Sequence, residues 1–390
     1  MIKVNLDDSA DSRFSRFELI SWWEQERLSR AKVLVIGAGA LGNELVKNCA
    51  LFGIGRVLVA DMDRIELSNL TRSPLFRESD RGQPKAEVAC RAARELYPLI
   101  KAKPFVGNVV HDLGLGVYFW ADVILGGLDN REARVAINGS SLFAGKTWID
   151  GAIEVLNGVA RVFAPDGPCY ECTMNETDWK MLESRRSCAL LTREQLQEGK
   201  VPTTPTTASI IAGFQMQEAV KLLHGLETIA GRGFVFNGLA GESYLVTYTR
   251  KPECFAHERF AELEPLGGGV AEVTLGALLE RARSALGPET VLQLARDLVT
   301  GLSCAACGET EACFRSLGKV TEAEGRCPKC GQMRAPETTS TLGLEPGHED
   351  MSMAAWGVPP YDVVTARNGE RTISYLFDGD AGEVLGDLAN

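Results

Sequence analysis

Short apolar runs alternate with segments of helical spacing along the N-terminal part of the chain. Each apolar run is rich in Val, Leu and Ile and is short enough to form one fully buried strand. The runs lie at 33–36, 57–60 and 123–126, and the helical segments lie at 43–52, 84–96 and 131–144. Strands that alternate with helices predict a parallel sheet covered by helices on both faces. A further segment, 11–30, has the apolar spacing of a helix that leads into the first strand.

Strands dominate the pattern after residue 146. The segments at 146–162 and 234–248 have strand character, and a long amphipathic helix at 207–224 lies between them and stops at Gly225. We expect these strands to extend the sheet in an antiparallel sense. The sequence therefore predicts a Rossmann-like α/β fold, with a mixed sheet that is parallel in its N-terminal half and antiparallel in its C-terminal half.

The composition changes near 262–269, where the sequence ELEPLGGG has the character of a linker. Beyond it, Thr274 is placed to cap a helix that ends before Gly287, and Asn368-Gly369 separates two strand-like runs as a hairpin turn does. Two domains are therefore predicted. The first is 1–262, with a polar crossover segment at about 175–206, and the second is a small α+β domain at 270–390 with a cysteine-rich insertion at about 303–333.

The chain has 390 residues, a net charge of −11 and 11 cysteines. An acidic chain is poorly suited to bind nucleic acid, because such binding depends on Lys and Arg at the phosphates. No apolar run reaches the roughly 18 residues of a membrane span, and the N-terminus is too polar for a signal peptide. We therefore expect a cytoplasmic protein with no nucleic-acid or membrane partner, in which cysteines bind metal rather than form disulfides.

The first strand leads directly into a glycine-rich turn, AKVLVIGAGALG at 31–42. Gly37, Gly39 and Gly42 lie between this strand and the next helix, an arrangement that brings backbone N–H groups against a phosphate. Asp61 ends the second apolar run, where an acidic side chain meets ribose hydroxyls. These features predict a nucleotide site, and taken alone they also fit a dinucleotide-dependent dehydrogenase.

The segment after Asp61 is more polar than a dehydrogenase requires at this place, since it reads DMDRIELSNLTRSPLF and is followed by GQPKAE. Here the chain resembles the ubiquitin-activating-type enzymes and their bacterial relatives, the ThiF and MoeB adenylyltransferases. The resemblance covers residues 13–257. The matching motifs are GAGALG at 37–42, DxD at 61–63, SNLxR at 68–72, QPK at 83–85, LDN at 128–130, IDG at 149–151, GPCYEC at 167–172 and TTASIIAGFQMQEAVK at 206–221.

The resemblance implies an enzyme that adenylates a carboxylate with ATP and Mg²⁺. Attack of a carboxylate on the α-phosphate brings two anions together, so the site must supply positive charge. Arg72 and Lys85 are the cations in place to do so, and Asp129 follows a strand where it could hold Mg²⁺. The nucleotide-binding positions that the resemblance implies are Gly37, Gly39, Gly42, Asp61, Asp63, Asn69, Arg72, Gln83, Lys85 and Asp129.

Members of this family place an arginine near the N-terminus into the nucleotide site of the neighbouring subunit. Their pattern is RYxRQ, and this chain has Arg13-Phe14-Ser15-Arg16-Phe17. The resemblance therefore implies that Arg16 is a catalytic residue supplied in trans and that the protein is a homodimer.

A catalytic cysteine is also implied. Cys188 lies in RRSCALL within the crossover segment, where family members that form thioesters carry their nucleophile. Arg185 and Arg186 directly precede it and would favour its thiolate. The alternative is that Cys188 is a passive free thiol.

Cysteine spacing predicts two structural Zn²⁺ sites, each with four protein ligands. One is a CxxC…CxxC pattern typical of zinc ribbons, in which each pair is followed by a glycine. Cys313 lies between the two pairs and is not needed as a ligand. The other combines a CxxC with a later CxxH, where family members have a second CxxC. The predicted ligands are Cys304, Cys307, Cys327 and Cys330 for the first site, and Cys169, Cys172, Cys254 and His257 for the second.

The favoured function is activation of a small ubiquitin-like protein, whose C-terminal glycine carboxylate is adenylated and then held as a thioester on Cys188. One alternative is a sulfur-carrier-protein adenylyltransferase, for thiamine, molybdopterin or tRNA thiolation, that stops at the adenylate. Another is a non-catalytic nucleotide-binding scaffold. No rhodanese-like cysteine loop is recognisable at 270–390, which favours conjugation, and by position alone this domain is predicted to bind a conjugating enzyme or the ubiquitin-like protein.

Overall fold

The computed structural model describes residues 12–187, 202–257, 263–343 and 347–389. An eight-stranded sheet forms the first part of the molecule, in the order β3-β2-β1-β4-β5-β6-β7-β8. Neighbours from β3 to β5 run parallel, and the pairs from β5 to β8 run antiparallel, so the predicted mixed sheet is confirmed. The strands are β1 (Lys32–Ile36), β2 (Arg56–Ala60), β3 (Lys101–Phe105), β4 (Val123–Gly126), β5 (Trp148–Glu154), β6 (Asn157–Phe163), β7 (Arg232–Asn237) and β8 (Glu242–Thr247).

Helices cover both faces of this sheet, as the alternating pattern predicts. Side chains of β1 alternate between the faces, with Val33 and Val35 in one apolar cluster and Leu34 and Ile36 in another. The helices are α1 (Gln25–Arg30), α2 (Ala40–Phe52), α3 (Lys85–Leu96), α4 (Gly116–Trp120), α5 (Arg131–Phe143), α6 (Glu176–Ser187) and α7 (Pro205–Leu223).

The N-terminal segment differs from the predicted helix over 11–30. Residues 13–22 form turns, and only α1 is helical. The apolar residues that suggested a helical stripe instead pack as an aromatic cluster. The ring of Phe17 lies 4.6 Å from that of Trp23 and 5.6 Å from that of Phe52. Burial of aromatic surface therefore holds this segment against α2 without a regular helix.

A second sheet follows, in the order β11-β10-β13-β14-β9, with β12 also paired to β10. Strand β9 lies in the stretch predicted to be a linker and pairs in parallel with β14, so these residues belong to the second sheet. The strands are β9 (Leu263–Pro265), β10 (Val291–Ser303), β11 (Thr310–Ser316), β12 (Ala335–Leu342), β13 (Val363–Asn368) and β14 (Arg371–Leu376). The helices are α8 (Leu275–Leu286), α9 (Glu322–Gly325) and α10 (Ala381–Leu385).

Helix α8 and the last hairpin form as predicted. The Thr274 hydroxyl accepts a hydrogen bond from the Ala277 N–H, which caps the helix, and Gly369 has φ +61° in the turn between β13 and β14.

The two sheets share one of their apolar clusters. Tyr361, Val363 and Leu388 of the C-terminal region belong to the same buried cluster as Leu34 and Leu58 of the first sheet. The Trp120 indole N–H also donates to the backbone oxygen of Leu388, at 3.2 Å. The C-terminal region therefore packs on one face of the first sheet, together with α4 and α5.

No helix in the described part of the chain is both long and apolar enough to cross a membrane.

Candidate functional site

The glycine-rich turn packs tightly on two sides and is open on the third. A Cβ on Gly42 would lie 1.8 Å from the backbone oxygen of Gly37, and a Cβ on Gly37, whose φ is +89°, would lie 2.6 Å from that of Gly127. A Cβ on Gly39, at the N-cap of α2, would meet no atom within 4 Å. The first N–H groups of a helix lack partners within it. The start of α2 therefore faces open space with backbone donors, as a phosphate site requires.

Asp61 is fixed against this turn at the end of β2. Its carboxylate accepts hydrogen bonds from the backbone N–H of Ala38 at 2.6 Å and of Asp63 at 2.7 Å. Burial raises the pKa of Asp61 above its usual value, while the charge of Lys85 and the two N–H donors oppose the rise. Asp61 thus orders the turn in addition to its predicted contact with ribose.

Lys85 lies at the start of α3 and reaches back to the same edge of the sheet. Its ammonium pairs with Asp63 at 2.7 Å, and its backbone N–H donates to the Asp63 carbonyl at 2.9 Å. The Asp63 side chain is 56% exposed, whereas that of Lys85 is only 12% exposed. An incoming phosphate can therefore compete with an exposed carboxylate for a lysine that is already in place.

Three other residues predicted in the nucleotide site, Asn69, Arg72 and Gln83, lie between β2 and α3. The Arg72 guanidinium donates to the Ser68 backbone oxygen at 2.7 Å, and the Asn69 amide oxygen accepts from the Glu66 N–H at 2.9 Å. Gln83 is engaged differently, because its amide oxygen accepts from Arg91 at 3.1 Å. In this structure Gln83 thus binds protein groups beside α3, and its contact with nucleotide remains a prediction.

Asp129 lies between β4 and α5, at the carboxyl end of a central strand. Its side chain is exposed. An exposed carboxylate beside a phosphate site fits Mg²⁺, which takes oxygen ligands and combines one or two carboxylates with substrate phosphates. The exposure of Asp129 is compatible with this role, which stays a prediction.

A buried ion network supports the loop that carries Asp129. Asp150 is fully buried and is bound by two guanidinium groups, with Arg134 Nε at 3.0 Å and Arg161 Nε at 3.0 Å. Arg134 also donates to the backbone oxygen of Leu128 at 2.5 Å. Burial lowers the pKa of Arg134, but the charge of Asp150, its hydrogen bond and the weaker effects of Tyr170 and Asp129 together outweigh burial, so the net pKa is raised.

Two amides complete this support from the other side of the sheet. Gln215 of α7 donates to the backbone oxygens of Gly126 at 2.8 Å and Ile149 at 3.0 Å. Asn43 of α2 donates to the Ala38 oxygen at 2.7 Å and accepts from the Leu75 N–H at 3.0 Å. Asn43 therefore ties the glycine turn to the loop that carries Arg72.

The two N-terminal arginines have different surroundings. Arg13 donates to the Leu96 oxygen at 2.7 Å and lies 5.0 Å from the centre of the Tyr97 ring, so it is held by its own chain. Arg16 is exposed and makes no hydrogen bond or ion pair within the described ranges. The action of Arg16 in a second subunit stays a prediction.

Cys188 lies outside the described residues. Helix α6 ends at Ser187, directly before it, and the chain is described again from Pro202. There the Pro202 oxygen accepts from the Val155 N–H at 2.7 Å, in the turn between β5 and β6. Val155 has φ +53°, a strained value for a β-branched residue, so this turn is held by its surroundings.

The first predicted zinc-ligand set is brought together beneath α5. Cys169 Sγ lies 3.7 Å from the sulfurs of Cys172 and Cys254, and Cys172 Sγ lies 3.2 Å from His257 Nε2. Zn–S bonds of about 2.3 Å place tetrahedral sulfurs about 3.8 Å apart. The cluster therefore fits a tetrahedral ion.

The second set is brought together beside the end of β10. The sulfurs of Cys304 and Cys330 are 3.5 Å apart, and those of Cys307 and Cys327 are 3.6 Å apart. All four sulfurs lie within 4.8 Å of one another, so this set also has the size of a tetrahedral zinc site. Gly308 and Gly331, with φ +73° and +75°, turn the chain after each pair as the spacing predicts.

Four of the supporting residues, Asn43, Arg134, Asp150 and Arg161, were not predicted from the sequence. Arg134 and Asn43 lie on predicted helices next to motif residues, and Asp150 is the middle residue of the IDG motif, which was a usable signal. Arg161 carries no local signal, because only the pairing of β5 with β6 places it opposite Asp150.

Comparison with known proteins agrees with this geometry. The ThiF family profile matches residues 12–256, well over half of the chain. A sulfur carrier protein adenylyltransferase of Thermus thermophilus is 31% identical over 237 residues, which cover 59% of this chain and 83% of that protein. The SAMP-activating enzyme E1 of Haloferax volcanii is 30% identical over 266 residues, which cover 64% of this chain and 90% of that protein.

A solved structure shares the fold. The crystal structure of E. coli MccB with ATP matches with a TM-score of 0.54 at 22% identity, and the match covers 65% of this chain and 75% of that one.

Proposed function

The chain belongs to the ThiF family, and from this membership we propose that it adenylates the C-terminal carboxylate of a small ubiquitin-like or sulfur carrier protein with ATP. The observation that carries the proposal is the group of functional side chains at one edge of the first sheet. There the open N-terminus of α2 lies beside Asp61, the pair of Lys85 with Asp63, and the exposed carboxylate of Asp129.

The proposed reaction joins a carboxylate to the α-phosphate and releases pyrophosphate. The α2 N-terminus and Lys85 bind phosphate oxygens and reduce the repulsion between the two anions, and Arg72 adds charge from the neighbouring loop. Asp61 orients the ribose. A Mg²⁺ ion held by Asp129 supplies positive charge to the phosphates when bound. The protein groups thus orient the reactants and offset charge, and none of them need carry a proton.

Arg16 is proposed to act in the site of a second copy of the chain. Aromatic residues of the same segment pack against α2 and fix the backbone near Arg16, while the Arg16 side chain is exposed to solvent. A guanidinium from a neighbour would add charge at the leaving phosphates, as an arginine finger does. This part of the proposal requires a homodimer.

The adenylate has two proposed fates. In the first, Cys188 attacks the acyl-adenylate, forms a thioester and releases AMP, after which a conjugating enzyme that binds the C-terminal region takes the acyl group. In the second, a sulfur donor attacks the acyl carbon of the adenylate and releases AMP, and Cys188 takes no part. The second fate is favoured by the name of the Thermus thermophilus relative, a sulfur carrier protein adenylyltransferase.

We further propose that both cysteine clusters hold Zn²⁺. Each provides four ligands and leaves no open position for substrate, so both ions would be structural.

ATP–pyrophosphate exchange with a candidate ubiquitin-like protein tests the adenylation step. A Lys85→Ala variant should lower the exchange rate by about 10²–10³-fold, because it removes a positioned charge that acts in the transition state. Lys221→Ala is the matched control, since Lys221 also pairs with a carboxylate, Glu218 at 2.8 Å, but does so far along α7. Absence of exchange with every carrier tested would leave a nucleotide-binding scaffold as the better interpretation.

Non-reducing gel electrophoresis after incubation with ATP and the carrier separates the two fates. A conjugate that thiols cleave, and that a Cys188→Ala variant no longer forms, supports the thioester. If Cys188→Ala keeps both exchange and the conjugate, the thioester step is wrong.

A further inference from the structure

Asp129 is the proposed metal ligand, yet its own side chain is exposed, so its position depends on the backbone on either side. The preceding carbonyl, of Leu128, accepts a hydrogen bond from Arg134 Nη2 at 2.5 Å. The following residue, Asn130, is the N-cap of α5 and accepts from the Ala133 N–H at 2.8 Å. Both neighbours of Asp129 are thus fixed, one by a side chain and the other by a helix cap.

Arg134 can fix this backbone only because it is itself held on several sides. Its side chain is 9% exposed, and its guanidinium donates to Asp150 Oδ1 at 3.0 Å and to the Gly151 oxygen at 3.1 Å. The other oxygen of Asp150 is bound by Arg161 through Nε at 3.0 Å and also through Nη2. A planar guanidinium with several fixed partners has little freedom to rotate.

The network also has a charge imbalance. Asp150 supplies one negative charge against the two positive charges of Arg134 and Arg161, and the Asp150 side chain has no exposure to solvent. Buried charge is costly unless it is matched. Against the lowering effect of burial, the charge of Asp150 and, less strongly, that of Asp129 raise the pKa of Arg134.

We propose that Arg134 is a positioning residue for Asp129, and that Asp150 and Arg161 hold Arg134 in place for this task. The inference rests on the proposed function, because it takes Asp129 as a ligand of the nucleotide-bound ion. Arg134 contacts neither nucleotide nor substrate in this scheme. It sets the orientation of the loop 127–130, and through that loop the affinity of the site for metal and nucleotide together.

The test measures Mn²⁺ binding by electron paramagnetic resonance in the full chain saturated with a non-hydrolysable ATP analogue. Asp129→Ala should lower the Mn²⁺ affinity most. Arg134→Lys keeps the charge but loses the forked donors, and should lower the affinity by about tenfold or more, as the loss of a residue that orients a metal ligand does. Asp150→Asn, which leaves both arginines in place but removes the negative charge that they share, should act in the same direction.

Arg296→Lys is the matched control. Arg296 is 11% exposed and pairs with buried Asp362 at 3.1 Å, but it does so between the two sheets. It should keep the Mn²⁺ affinity within about twofold of the wild type, even where its melting temperature falls as much as that of Arg134→Lys.

The outcomes separate the two proposals. If Asp129→Ala leaves the Mn²⁺ affinity unchanged, the proposed role of Asp129 fails, and the positioning role fails with it. If Asp129→Ala lowers it but neither Arg134→Lys nor Asp150→Asn does, only the positioning role is overturned. Equal losses in Arg134→Lys and Arg296→Lys would also overturn it, because general destabilisation would then explain both. Should Arg134→Lys fail to fold, Asp150→Asn decides between these outcomes.

Discussion

The two cysteine clusters have the same number of ligands but very different surroundings. In the first, Cys169 and Cys172 are buried beside Leu142 of α5 and meet residues 254–257, which follow the last strand of the sheet. The buried amide of Asn138 accepts from the Tyr170 N–H at 2.9 Å and orders the turn. This cluster joins two segments to a sheet that already has a large core.

The second cluster lies where little apolar packing is available. The apolar cluster nearest to it consists of four buried residues, Val299, Leu302, Cys313 and Val320, with Leu317 packed against them. The ligand Cys330 is exposed. In the second cluster, a bound ion would supply stability that the small apolar core does not. In the first cluster, it would only fix two segments against a sheet that is already stable. Two clusters with similar sulfur spacing should therefore differ in how much structure depends on their metal.

The largest effect is expected at the second cluster. A Cys304→Ser variant should lose one of two zinc equivalents, and residues 303–335 should lose amide-exchange protection, because structural zinc contributes on the order of 10 kcal/mol to such small folds. Metal analysis and hydrogen exchange measure the two losses.

Cys313→Ser is the control for that variant. Cys313 is buried in the same small core but is not a ligand, so it should keep both zinc equivalents. A Cys304→Ser protein that still binds two equivalents of zinc would show that metal binding by the second cluster does not depend on Cys304.

A smaller effect is expected at the first cluster. A Cys254→Ser variant should also lose one zinc equivalent, but the sheet should stay folded and the free energy of unfolding should fall by about 4 kcal/mol, the scale at which loss of a metal acts. Urea titration monitored by circular dichroism checks this value. Cys90→Ala, at a buried thiol far from both clusters, should retain both ions, and complete unfolding of Cys254→Ser would remove the contrast between the clusters.

The contact between the two sheets gives the next effect. Leu388 is 1% exposed in the core that the two sheets share, so Leu388→Ala should lower the free energy of unfolding by about 3 kcal/mol. Tryptophan fluorescence and amide hydrogen exchange at residues 303–335 should report the same unfolding transition. Leu239→Ala, at an 84% exposed position, should change little. Two separate transitions in the wild type would show that the sheets unfold independently.

The sequence predicts those features that depend on local spacing. The glycine turn, the capped helix α8, the last hairpin and both cysteine groupings each lie within short stretches whose residue types determine their geometry. The parallel strands β1, β2 and β4 were predictable for the same reason, since each adjoins a helix of clear periodicity. Strand β3 was not predicted, because its sequence KAKPF is not an apolar run.

Features that depend on distant partners were not predictable. The prediction of a helix over 11–30 was wrong because Phe17 packs against Phe52 and Trp23, contacts that the local sequence does not indicate. The linker over 262–269 was wrong because β9 pairs with a strand more than 100 residues later. Arg161 gained its partner through strand pairing alone, and no periodicity marks it.

The smallest predicted effect lies between the ribbon and the first sheet, where His111 Nδ1 is 2.8 Å from Ser316 Oγ. Burial, with the charge of Arg296 adding to it, lowers the pKa of His111 to about 4. In the unfolded chain, His111 binds a proton as the pH falls below about 6.5, whereas in the folded chain it stays neutral until about pH 4. The free energy of unfolding therefore falls as the pH is lowered from 6.5 towards 4. The half-buried ring limits this loss to about 1–2 kcal/mol. Urea titrations at pH 7 and pH 5 should show a smaller difference in His111→Gln than in the wild type. An equal difference in the free energy of unfolding between the two pH values in both proteins would mean that His111 does not contribute to the pH dependence of stability.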